Sequence, residues 1–201
     1  MSETKEKLPF WRRLLFSETL LKKSKSYQIA YIALATAFCV VSNLFFEFKL
    51  MDTQFSATIT ASALAGLLIG PIFGFCAAFL GDLIGFLGNT GGFMYMPWVG
   101  LALGATAFFA GFLFNLLPFR FKGGTYCKLA LVCLTSFLIS TVLINTTAFW
   151  LLYAKGVPYF TYLFSRLFLR GQIFNCLFNY ALLFMALPLL SSIKPLKIKI
   201  R

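Results

Sequence analysis

Between Tyr27 and Leu190 the chain is a succession of apolar runs separated by breaks too short to fold on their own. This feature constrains the fold most. A helix needs ~20 mostly apolar residues to cross the ~30 Å hydrocarbon layer. In lipid, every backbone polar group must be paired internally. The runs predict helices over Tyr27–Phe46, Ser56–Ile69, Ile72–Leu87, Tyr95–Leu117, Cys127–Tyr153 and Tyr162–Leu190. Gly70-Pro71, the segment Gly88–Gly92 and Pro118 mark three of the breaks. The expected fold is therefore an all-α integral membrane protein of six transmembrane helices.

Composition agrees. Hydrophobic residues make up 60% of the 201, charged residues 12%, and mean hydropathy is +0.84. Soluble domains carry about 25% charged residues, so this chain cannot clothe a water-facing surface. The net charge of +12 does not indicate nucleic acid, because the basic residues lie between apolar runs and at the termini. Lys5, Lys7, Arg12, Arg13, Lys22, Lys23 and Lys25 precede the first run. Arg120, Lys122 and Lys128 follow the fourth, and Lys194, Lys197, Lys199 and Arg201 follow the sixth. The intervening loops hold fewer: Lys49, Lys155 and nearby Arg166. Since Lys and Arg concentrate in cytoplasmic loops, both termini are expected in the cytoplasm. Residues 1–26 form a basic lead-in, whose stretch Leu8–Leu21 suits a short amphipathic helix in the interface. Residues 27–190 form the membrane domain, and residues 191–201 a basic cytoplasmic tail.

Several chemistries are excluded. The chain has no histidine, and its five cysteines form no C-x-x-C pair, so neither a metal site nor a disulfide framework is expected. No Walker A sequence or paired-carboxylate motif is present. An enzyme is not expected, and neither is a cofactor.

The candidate functional residues fall into four groups. Ala30, Ala33 and Ala37 lie on one face of the first helix, and small residues at such spacing let another helix approach closely. Asp82 is an acid at membrane depth, where a carboxylate must face the bundle interior, a partner or water. It is read as a structural carboxylate that pairs with loop amides near the outer end of the third helix. Asn89, in a glycine-rich outer loop, is followed by Tyr95 and Trp98, whose rings suit a flat ligand or the interfacial belt. Asn145 lies in the outer half of the fifth helix. Arg166 and Arg170 open the sixth, with Gln172, Asn175 and Asn179 as a second stripe. At 100° per residue the amides lie opposite the arginines, so one set lines a pocket and the other meets a neighbouring helix. An arginine suits a ligand carboxylate.

Together these features resemble the S components of energy-coupling factor (ECF) transporters, with the folate-type subgroup most similar. The resemblance rests on length, six spans, Ala33-x-x-x-Ala37, the run Ala61–Gly85 (…ALAGLLIGPIFG…LGDLIG…), the basic lead-in and Arg166-Leu167. It implies a prokaryotic cytoplasmic-membrane subunit that captures a vitamin from outside. It further implies a transmembrane coupling subunit and two cytoplasmic ATPases as partners, docking on the small-residue face of the first helix. Folate is the leading ligand. The chain departs from the folate-type pattern near Asn43, where SNLFFEFKLMDTQF lacks its basic residue, leaving Lys49, Arg166 and Arg170 to compensate a dianion. Pantothenate, riboflavin, a thiamine precursor and a queuosine precursor stay open as ligands. An autonomous small carrier or channel is the competing function.

Overall fold

The computed structural model describes residues 15–21, 23–50, 53–88, 94–116 and 123–192. Most of the lead-in, the C-terminal tail, Asn89 and its loop, Arg120 and Lys122 lie outside the described residues.

Helix α1 (Lys25–Phe45) leads into an antiparallel hairpin of β1 (Glu47–Leu50) and β2 (Thr53–Ser56), paired from Glu47 with Ser56 to Leu50 with Thr53. Then come α2 (Thr58–Ile69), α3 (Pro71–Gly88) and α4 (Pro97–Leu116). Helix α5 spans Gly124–Tyr153, with a π-helical middle over Ser136–Thr146. Helix α6 (Tyr159–Leu169) and α7 (Gln172–Ser192) complete the chain. The fold is otherwise helical, as expected, with this short hairpin as an addition. The expected sixth helix is broken: α6 and α7 meet at 55°, and Gly171 takes φ +67°, a left-handed turn open to glycine. Among the described residues, four helices are long and apolar enough to cross a membrane, or five if the bent pair is one span; α2 is apolar but shorter.

Helix α2 organises the bundle. Residues Thr60–Leu67 and Ile69 are buried, so the helix is enclosed on all sides, as an apolar helix without a polar face requires. Its neighbours touch it backbone to backbone. A Cβ on Gly66 would overlap the carbonyl of Ala107 on α4, and one on Gly111 would lie 2.7 Å from the carbonyl oxygen of Gly66. At 1.5 Å per residue its 12 residues reach only about 18 Å, well under the ~30 Å of a hydrocarbon layer, and its buried ends need partners for their free backbone groups.

Distant parts of the chain supply them. At the start of α2, Asn179 Oδ1 accepts from the Thr60 amide and hydroxyl, both at 2.9 Å, and Asn179 Nδ2 donates to the Ser56 carbonyl at 2.6 Å. Asn175 Oδ1 accepts from the Ser56 amide at 3.0 Å. At the other end, the Ser17 amide donates to the Ile69 carbonyl at 3.1 Å and its hydroxyl to the Leu68 carbonyl at 2.6 Å. Phe16 stacks on Phe73 at 4.7 Å, and Leu20 is buried in the core. The described end of the lead-in is thus packed against the Gly70-Pro71 turn. The substitution Asn179→Leu keeps the branched outline of the side chain, at larger volume, but strips these bonds. An unsatisfied buried group costs about 1–3 kcal/mol, so a loss of roughly 2–4 kcal/mol is expected, seen as a lowered thermal midpoint in detergent.

Candidate substrate-binding site

Helices α1 to α6 alternate in direction, and the bonds of Asn175 and Asn179 to Ser56 and Thr60 bring the start of α7 back to the hairpin. The hairpin, the starts of α4 and α7, and the end of α5 therefore gather at one end of the bundle, and the Gly70-Pro71 turn marks the other. Two polar constructions occupy the hairpin end. They differ in whether their hydrogen bonds are complete.

The first is closed. Asp82 on α3 accepts from Asn43 Nδ2 of α1 at 3.0 Å and from the Tyr95 hydroxyl at 3.1 Å. Burial, and next the Asp82 charge, push the Tyr95 phenol above its usual range, which keeps it protonated and donating. Asp82 thus bonds to side chains of α1 and of the segment entering α4, where loop amides were expected. The α7 amides are similarly occupied. Asn179 uses both its polar atoms, and Asn175 Oδ1 holds Ser56.

The second construction is open. Trp98 follows Pro97, which begins α4 at a position where its missing N–H costs nothing. Its indole meets Phe149 of α5 edge-on at 5.5 Å and lies 6.3 Å from the Tyr153 ring. Across Phe149 stands Arg166 of α6, with the guanidinium carbon 4.1 Å from the ring centroid, close enough for a cation–π interaction. Asn145 lies one turn before Phe149 on the same side of α5. Trp98 Nε1, Asn145 Oδ1 and Arg166 Nε are all buried and find no hydrogen-bond partner among the described residues. Buried polar groups are nearly always paired, and an uncompensated buried cation is more costly still. Three such atoms lie on residues in or one turn from one aromatic cluster, so this construction's hydrogen bonding is incomplete.

The backbone aims these groups. A π turn is wider than an α turn and is frequent at functional sites. The π-helical middle of α5 turns Ser136, Ser140, Thr141 and Thr146 inward, where Thr106 of α4 bonds to both serine hydroxyls. The connection to α6 is pinned by Trp150 Nε1 donating to the Val157 carbonyl at 2.8 Å and by Tyr159, whose hydroxyl pairs with Thr147 at 3.2 Å. A second π segment, Ser165–Leu169, presents Arg166. Arg170, beyond it at the break, is exposed, 5.9 Å from the Tyr162 ring. Gln172 is half-buried at the start of α7. The structure therefore brings Trp98 and Arg166 to Phe149, with Asn145 one turn before it, sets both Arg166 and Arg170 against Tyr162, ties Tyr95 to Asp82, and commits Asn175 and Asn179 to the start of α2. Phe149 was missed by sequence reasoning. It is an apolar residue in an apolar run, and only its spacing of four from Asn145 hints at its place.

Ala30, Ala33 and Ala37 all lie exposed along the outside of α1, opposite the buried Ala35, Cys39 and Ser42. Among the described residues no cluster of His, Cys, Asp or Glu suited to a metal occurs.

This fold and site define a small helical membrane protein with an incomplete polar and aromatic site at one end. The model of the ECF-type riboflavin transporter S component family matches residues 23–195, and the chain belongs to that family. It is thus a vitamin-binding, substrate-specific component of a transporter, embedded in a membrane and associated with an ECF module. The fold is similar to that in the crystal structure of FolT bound with folic acid, with a TM-score of 0.61 over 81% of this chain and 90% of that one at 16% identity. No curated protein sequence matches the chain.

Proposed function

We propose that this chain captures folate from outside a prokaryotic cell and delivers it inward with a transmembrane coupling subunit and two cytoplasmic ATPases. In this reading it crosses the cytoplasmic membrane six times, α6 and α7 forming the last span and α2 a short one, with both termini inside. The basic residues at the termini and after α4 support that orientation. The hairpin end then faces outward, and the face of Ala30, Ala33 and Ala37 is where the coupling subunit docks.

One observation carries the reading: three unpaired polar atoms surround an aromatic cluster at the outward end. Trp98 and Phe149 offer surfaces for a planar ring. The indole N–H and the Asn145 carbonyl match a ring edge that both accepts and donates. Arg166 awaits an anion, and Asp82, whose carboxylate bonds to Asn43 and Tyr95, does not supply one. A folate brings both a planar ring and carboxylates. The same fold in a folate-bound relative supports this choice. A second reading, riboflavin, is favoured by the family model and shares the planar ring but lacks the carboxylate.

Thermal unfolding of the purified chain in detergent against a panel of vitamins tests the proposal. A ligand present at ~100 times its Kd stabilises by about 2.7 kcal/mol. A clear upward shift with folate is expected. A shift with riboflavin alone replaces folate by the second reading. No shift with any vitamin, in a folded sample, removes the binding function.

A further inference from the structure

The Asp82 network joins two regions whose roles are separate in the proposed function. Asn43 lies on α1, six residues beyond Ala37 on the docking helix. Tyr95 lies three residues before Trp98. Asp82 holds one with each carboxylate oxygen, at 3.0 and 3.1 Å. No other side chain described here bonds both to α1 and to the segment that enters α4.

The backbone around this carboxylate is built for close fit. Along α3, a Cβ on Gly81 would overlap Cys39 of α1, one on Gly85 would come within 2.7 Å of Asn43, and one on Gly88 within 3.0 Å of Leu44. These glycines are spaced four and three residues apart, so the Cys39, Asn43 and Leu44 side chains of α1 seat directly on the backbone of one face of α3. On α4, a Cβ on Gly100 would come within 2.7 Å of the Tyr95 hydroxyl and 3.0 Å of Asp82 Oδ2. Glycine is therefore needed on both sides for the carboxylate to reach its two partners. Packing this close transmits displacement, because tightly packed interfaces do not deform continuously.

We propose that Asp82 is a positioning residue that couples the vitamin site to the docking helix, through Tyr95 to Trp98 on one side and Asn43 to α1 on the other. The inference rests on the reading of Trp98 as a ligand contact. When a ligand engages Trp98, the start of α4 is fixed. Tyr95, Asp82 and Asn43 then fix the outer half of α1, which continues into the face of Ala30, Ala33 and Ala37. Such coupling is a free energy shared between two sites and acts equally in both directions. The coupling subunit, once docked on α1, alters vitamin affinity by the same factor.

Amide hydrogen exchange of the full-length protein in detergent tests this, with and without saturating vitamin from the panel above. In the wild-type chain the vitamin is expected to slow exchange both near Trp98 and in the outer half of α1. In Asn43→Ala the vitamin is expected to bind with affinity within about threefold of wild type and still protect the Trp98 segment, with the protection of α1 gone. Asp82→Asn, which keeps the shape of the side chain, gives the same readout should Asn43→Ala fail to fold. Equal protection of α1 in the variants and the wild type overturns the coupling role and leaves Asp82 as a structural clamp. A wild-type chain in which the vitamin protects neither segment overturns the ligand site itself, and this inference with it.

Discussion

Ala33→Arg is expected to reduce vitamin uptake by at least a hundredfold while leaving the vitamin bound as tightly as in the wild-type chain. Ala33 is exposed, with Ala30 and Ala37, on the side of α1 turned away from the buried Ala35, Cys39 and Ser42. Nothing among the described residues packs on this stripe, so a larger side chain there displaces no part of the bundle. It also stands away from Trp98, Asn145 and Arg166. What it obstructs is a second helix. Close approach in a membrane needs small residues at the contact, and an arginine would hold the coupling subunit several ångströms away. A cation facing lipid costs roughly 2.5–3.5 kcal/mol on insertion scales, partly relieved as the chain snorkels. The chain is therefore expected to insert and fold. Transport of labelled vitamin into proteoliposomes containing the whole complex measures uptake, and titration calorimetry of the purified subunit measures binding. If both fail together, the stripe supports the fold and is not a docking face.

Much of the architecture was legible because the apolar runs are long and their breaks carry Gly or Pro. Helices α3 and α4 fall within two residues of the expected bounds. The features that escaped depend on single residues or on remote contacts. The hairpin uses two strands of four residues, too short for alternation to stand out from the apolar run before it. The break before α7 rests on Gly171 alone, because the flanking sequence is apolar and helical on both sides. The two ends of α2 are satisfied by Ser17 and Asn179, 51 and 119 residues away from their partners. Periodicity within a helix carries no information about such pairings.

The same limit governed the site. Trp98, Asn145 and Arg166 were recognisable as polar or amphipathic residues near the outer ends of apolar runs. Which of Arg166, Arg170, Asn175 and Asn179 share a surface could not be read from one continuous helix. The 55° bend gives the arginines and the amides different axes. Arg166 then lies over Phe149 while Asn179 turns toward α2.

Arg166→Ala is expected to weaken vitamin binding roughly a hundredfold and to leave the ligand-free protein as stable as before, or more so. These two effects follow from the same atom. In the ligand-free protein Arg166 Nε is buried without a partner among the described residues, while the guanidinium gains the Phe149 face at 4.1 Å and a hydrogen bond with the neutral Tyr162. Deleting a buried group that lacks a counter-charge removes a desolvation cost, which offsets the lost cation–π contact of about 0.5–2 kcal/mol. In the complex the balance reverses. A charge-assisted hydrogen bond to a carboxylate contributes about 1.5–3 kcal/mol, and each 1.4 kcal/mol is a tenfold change in Kd. Arg166→Lys keeps the charge but not the planar fork or its stacking on Phe149, so an intermediate affinity is expected. Thermal unfolding without ligand and calorimetric titration with folate read the two effects separately. If Arg166→Ala lowers ligand-free stability by several kcal/mol, the guanidinium is a structural tie between α5 and α6. If stability holds and folate affinity falls less than threefold, the anion does not meet Arg166. A neutral planar vitamin, riboflavin first, then becomes the better fit to the Trp98 and Asn145 edge.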